Sequence, residues 1–317
     1  MRTYVLRRTL LAVPTLLLSS LLIFSIMRVL PGDIIYTVLG DTLVNVPQSE
    51  IEALKKEVGL DKPLHEQYVI WIVAAMKGDL GKSLRYRQPV SEMIASRLPV
   101  TLELGVLALL LSVIVGIPVG VLAALRQDTL ADYVFRGFAI ANLSVPNFWV
   151  ATLVVVLPAI WFRYTPPLAY ISFFDNPIEN LKLLFAPAII LGLATSATKV
   201  RMTRAMMLEV MRNDYIRTAW AKGLPERLVI YRHALKNALI PVVTLFGLQV
   251  TAVLGGTVIM ESVFSLPGMG RLLIEAITYR DYTVVQGIAF LIVVWVVITN
   301  LLVDLSYGFL DPRIRFG

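Results

Sequence analysis

Six long runs without a charged residue constrain this chain more than anything else in it: Thr9–Met27, Leu104–Leu125, Gly137–Phe162, Leu183–Thr198, Asn237–Met260 and Tyr282–Val303. At a rise of about 1.5 Å per residue, roughly 20 apolar residues cross the hydrocarbon of a bilayer, and all but the fourth run approach or exceed that length. A globular core does not need apolar residues in such blocks. Inside lipid the backbone must also satisfy its own hydrogen bonds, which a helix does. Composition agrees, with 57% of residues hydrophobic and 16% charged, where soluble domains run at roughly 45–50% and 25%. The sequence therefore predicts an all-α polytopic membrane protein with six transmembrane helices.

The short fourth run is expected to continue as helix past Lys199 and Arg201, with those side chains snorkelling toward the headgroups. Pro14, Pro118, Pro146 and Pro187 would break helices in water. Neighbouring spans can satisfy the freed carbonyls, so these prolines are expected to mark kinks rather than ends. The first run follows Arg2, Arg7 and Arg8, as a signal peptide would. It is longer than a typical signal core and shows no clear small-residue cleavage site, so a retained span is expected.

Lys and Arg in short loops orient a membrane protein, the richer side facing the cytoplasm. Arg2, Arg7 and Arg8 place the amino terminus inside. Six crossings then put residues 126–136, residues 199–236 and the carboxyl terminus on the same side, where basic residues concentrate. The opposite short loops carry only Arg163, Lys182, Arg271 and Arg280. The net charge of +7 thus follows topology, not a nucleic-acid footprint. Residues 31–99 are long enough to be exempt from the loop rule. Within them Ser49 and Glu52 form a capping box before a stripe of Ile51, Leu54 and Val58 that Gly59 can close. A second stripe runs Leu64, Tyr68, Trp71, Ile72 and Ala75. An extracytoplasmic helical insertion between spans one and two is expected, either capping an entrance or only packing on the bundle.

Residues 199–236 are long and basic where a connection could be short. Asn213 or Asp214 can cap a helix over Tyr215–Lys222, Gly223 supplies a left-handed stop, and Pro225 starts the next helix. Two turns are marginal in water. Tertiary or partner contacts must hold them, and Tyr215, Ile216, Ala219 and Trp220 offer the contact face.

The run Tyr215-Ile-Arg-Thr-Ala-Trp-Ala-Lys-Gly223 with Tyr231-Arg-His-Ala-Leu-Lys-Asn-Ala-Leu-Ile-Pro241 resembles the EAA loop of binding-protein-dependent ABC permeases, most closely the B-type subunit of the dipeptide, oligopeptide and nickel branch. Leu30-Pro-Gly-Asp33, Lys77-Gly-Asp-Leu-Gly-Lys-Ser83, Phe264-Ser-Leu-Pro-Gly-Met-Gly270 and Leu310-Asp-Pro-Arg313 extend the likeness over nearly the whole chain. Arg217 and Thr218 stand where the general motif has its first two letters, as they do in that branch.

The resemblance implies one permease domain over 1–317 with the type I importer fold, an insertion at 31–99 and a coupling loop at 199–240. It implies that Tyr215, Arg217, Thr218, Ala219, Ala221, Lys222, Gly223 and Leu224 engage an ATPase subunit. A small Ala219 would seat close to that partner, and Gly223 would let the chain reverse. Two ATPase subunits holding ATP and Mg²⁺, a related C-type permease, an extracytoplasmic binding protein and a prokaryotic inner membrane follow from the same resemblance. Peptides are the implied cargo, with nickel chelates, glutathione and oligosaccharides as alternatives.

Catalytic chemistry has little to stand on. There is no cysteine, and His65 and His233 lie in no metal-ligand spacing, so neither a metal nor a cofactor is expected in this chain. Gly78-Asp-Leu-Gly81-Lys82-Ser83 has two residues between its glycines where a P-loop needs four. Glu103, Glu261 and Asp304 sit near span ends, which weighs against a proton-driven carrier. No paired acids or nucleophile elbow mark a membrane enzyme. Gly116 and Gly120 fit the small-residue spacing for close helix approach. Asn142, Ser144 and Asn147 around Pro146, with Gln249, are candidates to line a water-filled path, and helix-to-helix hydrogen bonds explain them equally well.

Overall fold

The computed structural model describes residues 2–29, 61–83, 85–164 and 169–310. The capped helix expected around Ser49–Gly59, the Leu30–Asp33 motif and Asp311–Arg313 lie outside the described residues. In chain order the helices are α1 (Arg2–Val29), α2 (Leu64–Met76), α3 (Val90–Leu125), α4 (Leu130–Ser144), α5 (Asn147–Phe162), α6 (Pro177–Met211), α7 (Asp214–Ala221), α8 (Lys236–Val263), α9 (Met269–Thr278) and α10 (Tyr282–Leu310). A short turn at Glu226–Leu228 and a π-helical stretch Val229–Leu235 lead into α8. Among the described residues β pairing is limited to a bridge between Lys82 and Pro89.

Among the described residues, five helices are long and apolar enough to cross a membrane: α1, α3, α6, α10 and the continuous run Glu226–Val263. The bent pair α4 and α5, which meet at 89°, makes a sixth crossing if it is counted as one span. This corrects the expected uninterrupted third span and the expected role of Pro146. That proline ends one helix and begins another: Val145 before it is extended (φ −92, ψ 123), as a proline demands of its predecessor. Pro146 then accepts at its carbonyl the amides of Trp149 and Val150. Pro14, Pro187 and Pro241, by contrast, sit inside continuous helices.

The described residues form two compact units, one drawn from residues up to 99 and from 271–308, the other from residues 100–270 and 309–310. The first unit is knit by aromatic contacts and turn chemistry. Trp71 of α2 stacks on Phe24 of α1 and meets the edge of Phe290 of α10, with centroids 6.1 and 5.4 Å away. Buried Asp281, just before α10, accepts the Ser83 hydroxyl at 2.5 Å and the Val284 amide at 3.4 Å, capping that helix. Arg8 and Asp304 pair at 2.8 Å, tying α1 to α10.

The second unit packs α3, α4, α5 and α8 around α6. Its apolar centre includes Leu104, Ala108, Leu184, Leu191 and Met260. Small residues set the α3 to α6 spacing: a Cβ on Gly116 would stand 2.7 Å from the Lys199 Cβ, and one on Gly120 would stand 2.8 Å from the Val200 carbonyl. Their spacing therefore serves contact within the chain, close backbone approach being the use of such glycines between membrane helices. The Phe264–Gly270 turn closes over Glu261 at the end of α8. Glu261 is fully buried and accepts the Thr101 hydroxyl at 2.7 Å, while the Met269 amide donates to Thr101 Oγ1 at 2.8 Å. Gly268 lies against that carboxylate, where a side chain has no room.

Candidate functional site

The helix expected in the basic loop is present as α7, and the fourth span continues as helix past Lys199 and Arg201 as expected. Residues 199–211 continue α6 as a rigid helix, so the irregular segment starts at Arg212. Asn213 takes the N-cap position through its carbonyl, which accepts the Ile216 and Arg217 amides at 3.0 and 3.3 Å, with no side-chain cap bond. The carboxyl end is a Schellman motif: the Gly223 amide donates to the Trp220 carbonyl at 2.9 Å and the Leu224 amide to the Ala219 carbonyl at 3.4 Å. Gly223 holds φ +74, the left-handed conformation such a stop requires.

What holds so short a helix is its inner face. Ile216 is fully buried and Ala219 is 7% exposed, both in a cluster with Val121 and Ala124 of α3, Met207 of α6, and Val229, Ala234 and Ala238 leading into α8. Tyr215 Oη accepts a hydrogen bond of 2.9 Å from Asn237 Nδ2, tying α7 to the start of α8. This corrects the contact face read from sequence. Ile216 and Ala219 pack on the chain itself, so Ala219 is small to fit beneath its own spans. Tyr215, Arg217, Thr218, Trp220, Ala221, Lys222 and Gly223 are exposed, and Leu224 is half-buried at the edge of the cluster. At about 100° per residue, Thr218 and Ala221 stand opposite the buried pair. The Arg217 and Asp214 ion pair, at 3.4 Å and highly exposed, adds little stability.

The candidate path residues divide. Asn142, Ser144 and Asn147 flank the α4/α5 bend, Asn142 and Asn147 half-buried and Ser144 exposed. Asn142 donates back to the Phe138 carbonyl at 2.9 Å. Gln249 sits elsewhere, in α8, 8% exposed, donating to the Thr195 carbonyl at 3.1 Å and accepting from the Lys199 ammonium.

Lys199 is the main surprise. The expected snorkelling cation is fully buried in the second unit, donating to Ser112 Oγ at 2.8 Å and to Gln249 Oε1, with the Phe246 ring centroid 5.5 Å from its nitrogen. Gly116 leaves the space for its stem. A signal was present in the sequence: Lys199 ends the charge-free run and follows Thr195 and Ser196 by one turn. Gln249→Leu should lower stability by about 1–3 kcal/mol by leaving the buried ammonium short of an acceptor. The double variant carrying Lys199→Met as well should recover most of the loss, because the charge that needed solvating is gone. Thermal unfolding of the four proteins in detergent reads this directly.

A second polar tie joins α4 to α6. Arg204 grips Asp132 with both Nε and Nη2, each at 2.7 Å, and Asp132 is fully buried. Asp132 also accepts the Asp128 amide at 3.1 Å, fixing the turn before α4. Farther along, Tyr170 donates to Glu103 at 2.9 Å beside Asn180, which donates to the same carboxylate at 2.8 Å. Burial, and then the Glu103 carboxylate, push the Tyr170 hydroxyl above its ordinary pKa, so it stays protonated in the physiological range.

Residues 1–105 match the amino-terminal part, and residues 116–316 the main part, of the family described as the binding-protein-dependent transport system inner membrane component. This chain belongs to that family. It is an integral inner-membrane permease subunit, a transport component rather than an enzyme, and family membership implies an ATP-hydrolysing partner and a binding protein. The dipeptide transport system permease protein DppB of Escherichia coli K12 is 42% identical over a 338-residue alignment covering 99% of each chain. DppB of Alkalihalophilus pseudofirmus is 40% identical over 337 residues, covering all of both. A crystal structure of an amino acid ABC transporter shares the fold at 18% identity, with a TM-score of 0.51, covering 68% of this permease and 93% of that chain.

Proposed function

We propose that this permease forms one half of the translocation pathway of an ATP-driven importer for di- or oligopeptides, with a related C-type permease as the other half. Full-length relatives named for dipeptide transport support the cargo. Nickel chelates, glutathione and short oligosaccharides are the competing cargoes. An extracytoplasmic binding protein delivers the substrate, and two cytoplasmic ATPase subunits carry the ATP and Mg²⁺. The termini and α7 face the cytoplasm, as the basic loops require.

The observation that carries the mechanism is the two-sidedness of α7. Its inner face is packed on the cytoplasmic ends of α3, α6 and α8, while its outer face is open. A helix so clamped passes displacement to three spans without absorbing it in side-chain rearrangement, because packed interiors shift as units. When paired ATPases close, α7 is drawn with them and the spans rock between outward-facing and inward-facing states. Tyr215, Arg217, Thr218, Ala221, Lys222 and Gly223 make the contact, and Leu224 with Ala219 anchors the cap.

The test is uptake by the reconstituted importer in liposomes. Labelled dipeptide should accumulate only with the binding protein outside and ATP inside, and should persist after an uncoupler collapses the ion gradient. Uptake driven by an ion gradient through the permease alone would overturn the reading; ATP-dependent uptake of another cargo would overturn only the peptide assignment.

A further inference from the structure

The helix α2 packs on two candidate spans of its own unit and carries an exposed apolar face. One side of it packs on the spans of its own unit. Tyr68 exchanges a hydrogen bond of 2.9 Å with Ser20 of α1 and reaches the Leu17 carbonyl at 3.3 Å. Trp71 sits between Phe24 of α1 and Phe290 of α10. At about 1.5 Å per residue, Phe24 is roughly 8 Å inside the Val29 end of α1, and Phe290 roughly 12 Å inside the Tyr282 end of α10. Both flanks of α2 return to the rim: Arg28 Nε donates to Gln67 Oε1 at 2.9 Å, and Ser83 is bonded to Asp281 just before α10. Its contacts thus fall beside the outer turns of two candidate spans, the level at which in-plane amphipathic helices sit.

Its other side carries Val69, Ile70, Val73 and Met76, between 39% and 70% exposed. Val69, Val73 and Met76 follow helical spacing opposite Trp71 and Ala75. In water such a patch would be a liability; at this depth it meets acyl chains. A groove of about 480 Å³ runs along Val69, Ile70, Val73 and Ala74 and ends at Lys77 and Asp79. That end offers one cation and one anion. Asp79 is held by the Gly81 amide, which donates to its Oδ1 at 2.9 Å, and Lys77 is exposed on a flexible stem.

We propose that a phospholipid with an amine headgroup, drawn from the leaflet beside α2, occupies this groove. Its acyl chain lies on Val69, Ile70 and Val73, its phosphate on Lys77 and its amine on Asp79. The site would fix α2 against α1 and α10 by filling the apolar side that is exposed among the described residues.

Two measurements on the full chain test this. Because the chain has no cysteine, Val73→Cys gives a single nitroxide position in vesicles of phosphatidylethanolamine and phosphatidylglycerol. The label should collide with oxygen far more than with a water-soluble nickel chelate; ready access by the chelate overturns the placement in lipid. Native mass spectrometry after extraction should then show retained phosphatidylethanolamine. Lys77→Ala should weaken that retention roughly fivefold, the effect of losing one lysine at a charged membrane surface. Asp79→Asn, which keeps the acceptor for Gly81, should remove the preference for the amine headgroup over phosphatidylcholine. Equal retention by Lys77→Ala and the parent chain, or equal retention of both lipids by the parent, overturns the headgroup site.

Discussion

Replacing Ala221 with glutamate should abolish co-purification of the ATPase subunits and ATP-driven uptake while leaving the unfolding temperature of the permease unchanged. Ala221 is exposed and points away from the cluster beneath α7. A longer acidic side chain there meets nothing in the chain itself, yet it pushes a charge into any surface seated on α7 and alters the positive charge set by Arg217 and Lys222. An unpaired charge trapped in an interface costs several kcal/mol, enough to lose an ordinary complex. Ala219→Glu should behave differently. It forces a carboxylate among Val229, Ile230 and Ala234, so the cap itself loosens and the unfolding temperature falls along with binding. Gly223→Ala separates a third effect: no atom lies within 4 Å of the added methyl, so only the left-handed backbone at φ +74 is strained, by about 1–2 kcal/mol. Full ATPase recovery with Ala221→Glu would move the docking face off α7.

Asp132→Ala should be the most destabilising single change among the polar contacts described. It strips a half-buried guanidinium of two hydrogen bonds and frees the Asp128 amide, and breaking a buried pair from one side costs about 3–5 kcal/mol. Arg204 keeps 19% of its side chain exposed, so partial rehydration places the loss near the lower end of that range. Removing both charges with Asp132→Ala and Arg204→Met should recover much of it, since the expense lies in the orphaned cation more than in the lost attraction. Unfolding midpoints of the single and double variants decide the matter: a double variant no better than Asp132→Ala alone would show that the pair's attraction itself holds α4 to α6. The pair also fixes where the arm bearing the α4/α5 bend begins, so uptake by the single variant should fall more than its folded fraction does.

Much of this molecule was legible in the amino-acid sequence, and what was missed has a common cause. The helix of the basic loop, its left-handed stop at Gly223 and the start after Pro225 follow from short-range rules, and the structure has all three. The inner and outer faces of α7 were misread because Ile216, Ala219, Tyr215 and Trp220 are all apolar enough to be contact residues. Only the position of α3, α6 and α8 says which pair is covered. Pro146 was expected to kink a span and instead divides it, because Val145 before it takes the extended conformation that a following proline favours, and the helix cannot continue through it. Lys199 was expected at the headgroups because its neighbours in sequence do not include Ser112 or Gln249.

By itself the sequence determined that this chain lives in lipid as a bundle of helices, and which loop is built to be held. Both follow from local physics: uncharged runs long enough to cross hydrocarbon, and cap residues that act within a few positions of one another. The tertiary structure alone decided which polar groups are partners and which face of each short helix is covered. Those facts depend on residues 50 to 87 positions apart meeting in space, as Lys199 meets Gln249 and Ser112 and as Arg204 meets Asp132. No spacing rule along the chain reaches that far.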